Sequence, residues 1–219
     1  MTRPRAVAYR ALPGVRGPFW SRVHALVALA AFAVLTVLAG CTPTPPPAPF
    51  SSTEVSGIDY GRGLVIADDT GQPRRLEDFR DKVTLVFFGF TACPDVCPTT
   101  LARLRQARAA LGPDAGRVQV VLVSVDPERD TAERLQAYVR SFDPSFTALR
   151  PEPKELAAVV KAFHAIAVKV PTPDGRDYTI DHSAVIYVYD RSNRLRLITQ
   201  PDFSIDGFAA DLRRLAQES

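Results

Sequence analysis

The most constraining stretch is the run Val83-Thr84-Leu85-Val86-Phe87-Phe88-Gly89-Phe90, followed at once by Thr91-Ala92-Cys93-Pro94-Asp95-Val96-Cys97-Pro98. The run shows no alternation of apolar and polar positions and is too short for a free-standing helix, so it reads as a central strand buried on both faces. It delivers two thiols at the exit of that strand. Only three cysteines occur in the 219 residues, and the third, Cys41, falls in a targeting segment. The thiol chemistry of the mature protein therefore rests on Cys93 and Cys97, as a redox pair, a metal site, or both.

The first forty residues carry Arg3, Arg5, Arg10, Arg16 and Arg22 and no acid, then run apolar from Ala25 to Gly40. This is the pattern of a signal peptide, residues 1–40. The apolar part is shorter than the roughly 20 residues of a spanning helix, and an uncleaved N-terminal membrane helix is the alternative. Leu38-Ala39-Gly40-Cys41 resembles the lipobox of bacterial lipoproteins, which implies cleavage before Cys41 and lipidation of that cysteine. Residues 41–57 are a tether in which Cys41 is followed by Thr42-Pro43-Thr44-Pro45-Pro46-Pro47-Ala48-Pro49, a polyproline-type spacer.

Removing the leader takes five arginines from 27 basic residues and none of the 24 acids, so the balance becomes 22 − 24 = −2. The basic character belongs to the leader, and nothing electrostatic supports nucleic-acid binding. An extracytoplasmic address fits, on the periplasmic face of the cytoplasmic membrane. Residues 58–219 suffice for one domain with a single core.

Within that domain, Gly63–Ala67 and Pro73–Leu76 read as a hairpin at a sheet edge, turning at Asp68-Asp69-Thr70-Gly71. After the cysteines, Pro98 suits a first helical turn, and Leu101, Leu104, Ala107 and Leu111 recur at helical spacing until Gly112-Pro113. Arg103, Arg105 and Arg108 fall between those positions and read as a solvated face. Val118–Val125 is a second buried strand, parallel to the first because a helix connects them. Asp130, with Glu133 three residues on, resembles a capping box opening a helix to about Ser141. Phe146–Leu149 is expected as a short edge strand, and Lys154–Ile166 as a helix with Leu156, Val159, Val160, Phe163 and Ile166 on one face. His164 reads as a packed or half-exposed residue of that helix rather than a ligand. Ala184–Tyr189 and Arg194–Thr199 form an antiparallel hairpin around Asp190–Asn193, and a terminal amphipathic helix starts near Ser204. No phosphate loop of the Gly-x-x-x-x-Gly-Lys type is present, so a nucleotide-binding reading has no support.

The order strand, cysteine pair, helix, parallel strand, helix, antiparallel hairpin, helix is the thioredoxin-like α/β arrangement, a central mixed sheet with an N-terminal hairpin and flanking helices. If the strand from Ala184 runs antiparallel to Val83–Phe90, its start lies beside the exit of Cys93. Topology then carries Asp181-His182-Ser183 to the two cysteines. A thiolate at Cys97 would be favoured by the helix dipole, with Cys93 one turn earlier facing the same point. Two thiolates and an imidazole make a soft three-coordinate set suited to copper, the thiolates holding Cu(I) and the imidazole helping to accommodate Cu(II). Zinc normally asks for a fourth donor. The bland alternative is a structural disulfide, but so short a loop adds little stability by chain entropy.

Phe90–Pro98, Ser124-Val125-Asp126-Pro127-Glu128-Arg129-Asp130 and Asp181–Tyr187 together resemble the SCO1/SenC family of copper-binding thioredoxin-like proteins, over approximately residues 58 to 217. The resemblance implies that Cys93, Cys97 and His182 bind copper, and that the protein helps metallate the binuclear copper site of cytochrome c oxidase from the periplasmic face. A periplasmic copper donor and a thiol reductant are the further partners it implies. Asp126 and Asp181 match family positions near the site, as neighbours of the ligands or as structural residues. One departure is Phe146-Thr147-Ala148-Leu149-Arg150-Pro151, where many relatives continue through a Gly-Thr pair.

Three functions compete. The first is a copper metallochaperone, which is not a turnover enzyme. The second is a thiol-disulfide oxidoreductase acting on the cysteines of the oxidase subunit or of another periplasmic protein. A peroxiredoxin-like peroxidase is the weakest, because Thr91 stands two residues before Cys93 instead of three and the upstream proline of that motif is missing.

Overall fold

The computed structural model describes residues 49–218 and, before them, His24 alone. The chain divides into units 1–48 and 49–219, and the second is the subject below. The expected signal peptide, the lipidation at Cys41 and the proline-rich start of the tether lie outside the described residues. Among the described residues no helix is long and apolar enough to cross a membrane.

Ten strands and four α-helices are present among the described residues. In chain order the strands are β1 (Thr53–Glu54), β2 (Ile66–Asp68), β3 (Pro73–Arg74), β4 (Val83–Gly89), β5 (Val118–Ser124), β6 (Thr147–Arg150), β7 (Ala167–Pro171), β8 (Tyr178–His182), β9 (Ile186–Tyr189) and β10 (Leu195–Thr199). The helices are α1 (Val96–Ala109), α2 (Ala132–Phe142), α3 (Leu156–Ala162) and α4 (Ile205–Gln217). Eight strands form one mixed sheet in the order β1-β10-β9-β4-β5-β6-β2-β3, and β7 and β8 pair separately.

The unbroken apolar runs occupy the middle of the sheet: every residue of β4 and of β5 is buried. β4 pairs in parallel with β5 from Val83↔Val118 to Gly89↔Ser124, so both strands end at the same edge. β9 lies antiparallel on the other side of β4, with Phe87 opposite Ile186. Its N-terminal end therefore sits at the C-terminal end of β4, where ligand and metal sites gather in open α/β sheets. Side chains alternate across the strand. Phe88 meets Phe163 and Tyr187 on one face, at ring distances of 5.0 and 6.2 Å, while Phe87 points to the other face, towards His182.

The structure departs from the sequence expectations in several places. Residues 50–55, assigned to the tether, belong to the domain: β1 pairs with β10, and the backbone amides of Ser51 and Ser52 both donate to the buried carboxylate of Asp211, at 2.9 Å each. The segment around Phe146 is no edge strand, because β6 pairs with β5 on one side and β2 on the other. α3 covers only Leu156–Ala162; at His164 the backbone enters the left-handed region (φ 51°), and Ile166 is 60% exposed. His164 is exposed and stacks on Tyr60. Of the three arginines read as a solvated face, only Arg105 is one. Arg103 donates to the carbonyls of Pro201 and Phe203, and Arg108 pairs with Asp143 at 2.9 Å, so both fasten α1 to its surroundings. Asp130 is not the cap of α2. Thr131 is, its hydroxyl accepting from the Arg134 amide, which leaves Asp130 to a different task. The β7–β8 hairpin has no counterpart in the sequence expectations.

Candidate metal centre

β4 ends at Gly89, and the chain turns through Phe90–Asp95 before α1 begins, with the amide of Cys93 donating to the carbonyl of Phe90 at 3.3 Å. The first amides of a helix have no partner within it. Asp95 offers no side-chain cap here; instead the Cys97 amide donates to Cys93 Sγ at 3.4 Å. The helix start thus serves Cys93, which is half-buried, whereas Cys97 is fully buried on the inner face of α1. This reverses the expectation of a Cys97 thiolate favoured by the helix dipole. Burial, and next the contact with Cys93, push the Cys97 thiol well up, so it stays protonated at neutral pH.

The close approach of Cys97 to the sheet depends on Gly89. A Cβ on that residue would lie 3.0 Å from Cys97 Sγ and 3.0 Å from the Leu122 methyl. The glycine leaves room for a sulfur where even a methyl would press on its neighbours more tightly than ordinary contact.

His182 is the last residue of β8, paired with Ala167 of β7. The hairpin base is closed by the Ser183 amide donating to the Ile166 carbonyl at 3.0 Å and the Ile166 amide to Ser183 Oγ at 2.9 Å. His182 Nδ1 lies 3.0 Å from the Ser183 carbonyl, an acceptor only, so Nδ1 carries the proton. The lone pair is then on Nε2, which faces Cys97 Sγ at 3.5 Å. Burial lowers the imidazole's pKa from its ordinary value, against the opposing effects of the Ser183 carbonyl and Asp181. A neutral ring with one nitrogen tied to the backbone and the lone pair of the other turned to the thiols is the form that binds metal. Phe87 and Phe90 stand edge-on to it, at 6.2 and 5.9 Å.

The donor atoms of Cys93, Cys97 and His182 all lie within 4.8 Å of one another, and among the described residues they form the single group of that kind. Bonds of about 2.0–2.3 Å from three donors around one ion place the donors roughly 3.5–4 Å apart. The three therefore fit one ion after small adjustments. Two sulfurs and one nitrogen, with no carboxylate among them, make a soft set.

The two aspartates matched by the resemblance differ. Asp126 is buried, accepting from Tyr178 Oη at 2.9 Å and pairing with Arg129. Asp181 is exposed. Asp130 is a site residue that the sequence reading missed. Its fully buried carboxylate accepts from Thr91 Oγ1 at 2.6 Å, the Thr91 amide at 3.2 Å and Ser124 Oγ at 2.7 Å, tying the cysteine turn to the end of β5. The parallel register that pairs Gly89 with Ser124 was the available signal, since it places the residues after β5 beside those after β4.

Comparison with known proteins identifies the family. The sequence profile of the SCO1/SenC family matches residues 56–217. An SCO2-like protein of Rickettsia prowazekii is 31% identical over 163 residues, covering 74% of this chain and 80% of its own. The mitochondrial SCO2 homolog of Mus musculus is 38% identical over 56% of this chain, which spans about half (49%) of the mouse protein. The solved structure of Bradyrhizobium japonicum ScoI with copper bound is 41% identical, with a TM-score of 0.66, over 72% of this chain and 99% of that one. The structure of BsSco, described as a member of the Sco family of cytochrome c oxidase assembly proteins, is 20% identical with a TM-score of 0.58 over 76% of this chain and 98% of its own, and shows likeness of fold. The arrangement is thus the Sco-type thioredoxin-like fold, and the chain belongs to the SCO1/SenC family.

Proposed function

We propose that this protein is a copper metallochaperone: Cys93, Cys97 and His182 take up one copper ion and release it to the copper-receiving subunit of cytochrome c oxidase, for its binuclear copper site. The observation that carries the reading is the convergence of two thiols and a neutral imidazole within 4.8 Å. Copper in the Bradyrhizobium relative supports the choice of ion, and the role stated for BsSco is in keeping with the recipient. A target that offers more or better ligands would then draw the ion away. A signal peptide over residues 1–40, a lipid anchor on Cys41 and the tether after it would hold the domain at the periplasmic face of the cytoplasmic membrane. There it would meet a copper donor and a thiol reductant.

Copper titration of the detergent-solubilised full-length protein tests this. About one equivalent should bind the reduced protein, with weaker binding in Cys93→Ser, Cys97→Ser and His182→Ala. Unchanged affinity in all three variants would refute the site.

A second reading, a thiol-disulfide oxidoreductase, is favoured by the unequal exposure of the pair, half-buried Cys93 over buried Cys97. The Cys93 thiolate would attack a target disulfide, forming a mixed disulfide and releasing one target thiol. Cys97 would then attack the Cys93 sulfur, freeing the second thiol as two electrons pass to the target, and a periplasmic thiol reductant would restore the pair. Cells carrying His182→Ala separate the two: normal oxidase assembly there, with failure in the cysteine variants, would assign the redox role.

A further inference from the structure

His182 reaches the cysteines on a hairpin that shares no backbone ladder with the main sheet. The chain that leads from His182 into β9 ties the hairpin to the sheet at one end, and a cluster of side-chain contacts to the segment after β5 is in place to hold the rest. Tyr178 Oη, at the start of β8, donates to Asp126 Oδ1 at 2.9 Å. Arg129 pairs with Asp126 and reaches across with Nη1 to the Tyr178 carbonyl at 2.9 Å and to Asp177 Oδ1 at 3.0 Å. Its guanidinium lies 3.9 Å from the Tyr178 ring centroid and also covers Phe90, whose ring in turn faces His182. Lys169 of β7 adds an ion pair with Glu128 at 2.6 Å. Asp126 is buried and fixed to the end of β5, so the clasp transmits the position of the sheet to the hairpin.

We propose that Arg129 and Tyr178 are positioning residues for His182, clasping the β7–β8 hairpin so that the imidazole faces the two sulfurs. Neither touches the ion; each acts through the hairpin. The inference rests on the copper reading above.

Partners that orient a metal ligand typically contribute ten- to a hundredfold in affinity. Tyr178→Phe and Arg129→Ala should each weaken copper binding about tenfold. Thiolate-to-Cu(II) charge transfer should remain, while the nitrogen hyperfine signal of His182 fades. In the metal-free protein, amide exchange in residues 167–171 and 178–182 should quicken with no change in β4 and β5. On a His182→Ala background, Tyr178→Phe should cost no further affinity, since a residue acting through His182 has nothing left to position. Arg129→Lys, which keeps charge but not the forked reach, should fall between wild type and Arg129→Ala.

An intact nitrogen signal in Tyr178→Phe and Arg129→Ala, or a Tyr178→Phe loss fully additive with His182→Ala, would overturn the inference alone. If His182→Ala itself left affinity and spectrum unchanged, the three-ligand reading would fall and the clasp with it.

Discussion

Gly89→Ala is the perturbation whose size follows most directly from the structure. The backbone at Gly89 is ordinary strand, so alanine meets no conformational obstacle, and the whole effect is one of packing. The new methyl would stand 3.0 Å from Cys97 Sγ, 3.0 Å from Leu122 Cδ1 and 3.2 Å from Phe87 Cε1, all closer than ordinary contact. Those neighbours are fully buried in the middle of the sheet and on α1 and can give way little. Overpacking of this kind costs about 1–3 kcal/mol, offset by up to about 1 kcal/mol from the stiffer unfolded chain. A net destabilisation of about 1–2 kcal/mol is expected. To restore normal contact Cys97 Sγ must give by a few tenths of an ångström, which displaces one of the three donors of the site. Urea denaturation of the metal-free protein should show the stability loss, and copper titration a drop in affinity of about tenfold or more. Gly89→Ala with wild-type stability and wild-type affinity would refute the claim that this glycine exists to admit the sulfur.

Asp130→Ala strips the acceptor from Thr91 and Ser124 and should destabilise the protein by about 1–3 kcal/mol in denaturant unfolding, while Thr131→Ala, which removes only a helix cap, should cost about 1 kcal/mol. Copper uptake should depend on pH, because the ion must displace the proton that burial keeps on Cys97: apparent affinity for Cu(I) should rise at least tenfold per pH unit between about pH 6 and 8, followed by competition with a chelator of known affinity. Acid stability should depend on Asp68: burial alone would raise its pKa, but hydrogen bonds from Thr70, Arg74 and Gln72 outweigh it and bring the pKa down to about 2. A carboxylate lowered on folding stabilises above its unfolded value of 3.8, so its contribution of about 2 kcal/mol should be lost as pH falls from about 4 towards 2. The difference between wild type and Asp68→Asn measures it by urea unfolding across that range.

The sequence was most informative where one physical demand dominated. β4 and β5 are buried on both faces, and nothing but a central strand accommodates such runs; their parallel pairing, and the antiparallel return of β9, follow from the helices and turns between them. His182 could be brought to the cysteines on that basis because β9 is locked in register to β4. It failed where tertiary contacts compete with a local pattern. Asp130 and Glu133 have the spacing of a capping box, yet two hydroxyls and an amide across the site bind the Asp130 carboxylate, and Thr131 takes over the cap. α3 has apolar residues at helical spacing through Ile166, but the chain leaves the helix at His164 to enter β7, and Ile166 ends exposed. The β7–β8 hairpin was illegible for a related reason. β7 is mostly exposed and β8 mostly half-buried, the two are joined through Pro171-Thr172-Pro173-Asp174-Gly175, and the hairpin is held by long-range contacts with Arg129 and Asp126 that leave no periodic trace.

The claim on which the account turns is that Cys93, Cys97 and His182 bind one copper ion together. X-ray absorption at the copper edge of the full-length protein loaded with one equivalent of Cu(I), compared with His182→Ala, tests it most directly. The expected result is two sulfur donors and one imidazole nitrogen, with the nitrogen lost and both sulfurs kept in the variant. A site made of sulfur alone in the wild type, or a nitrogen donor that survives removal of His182, would contradict it.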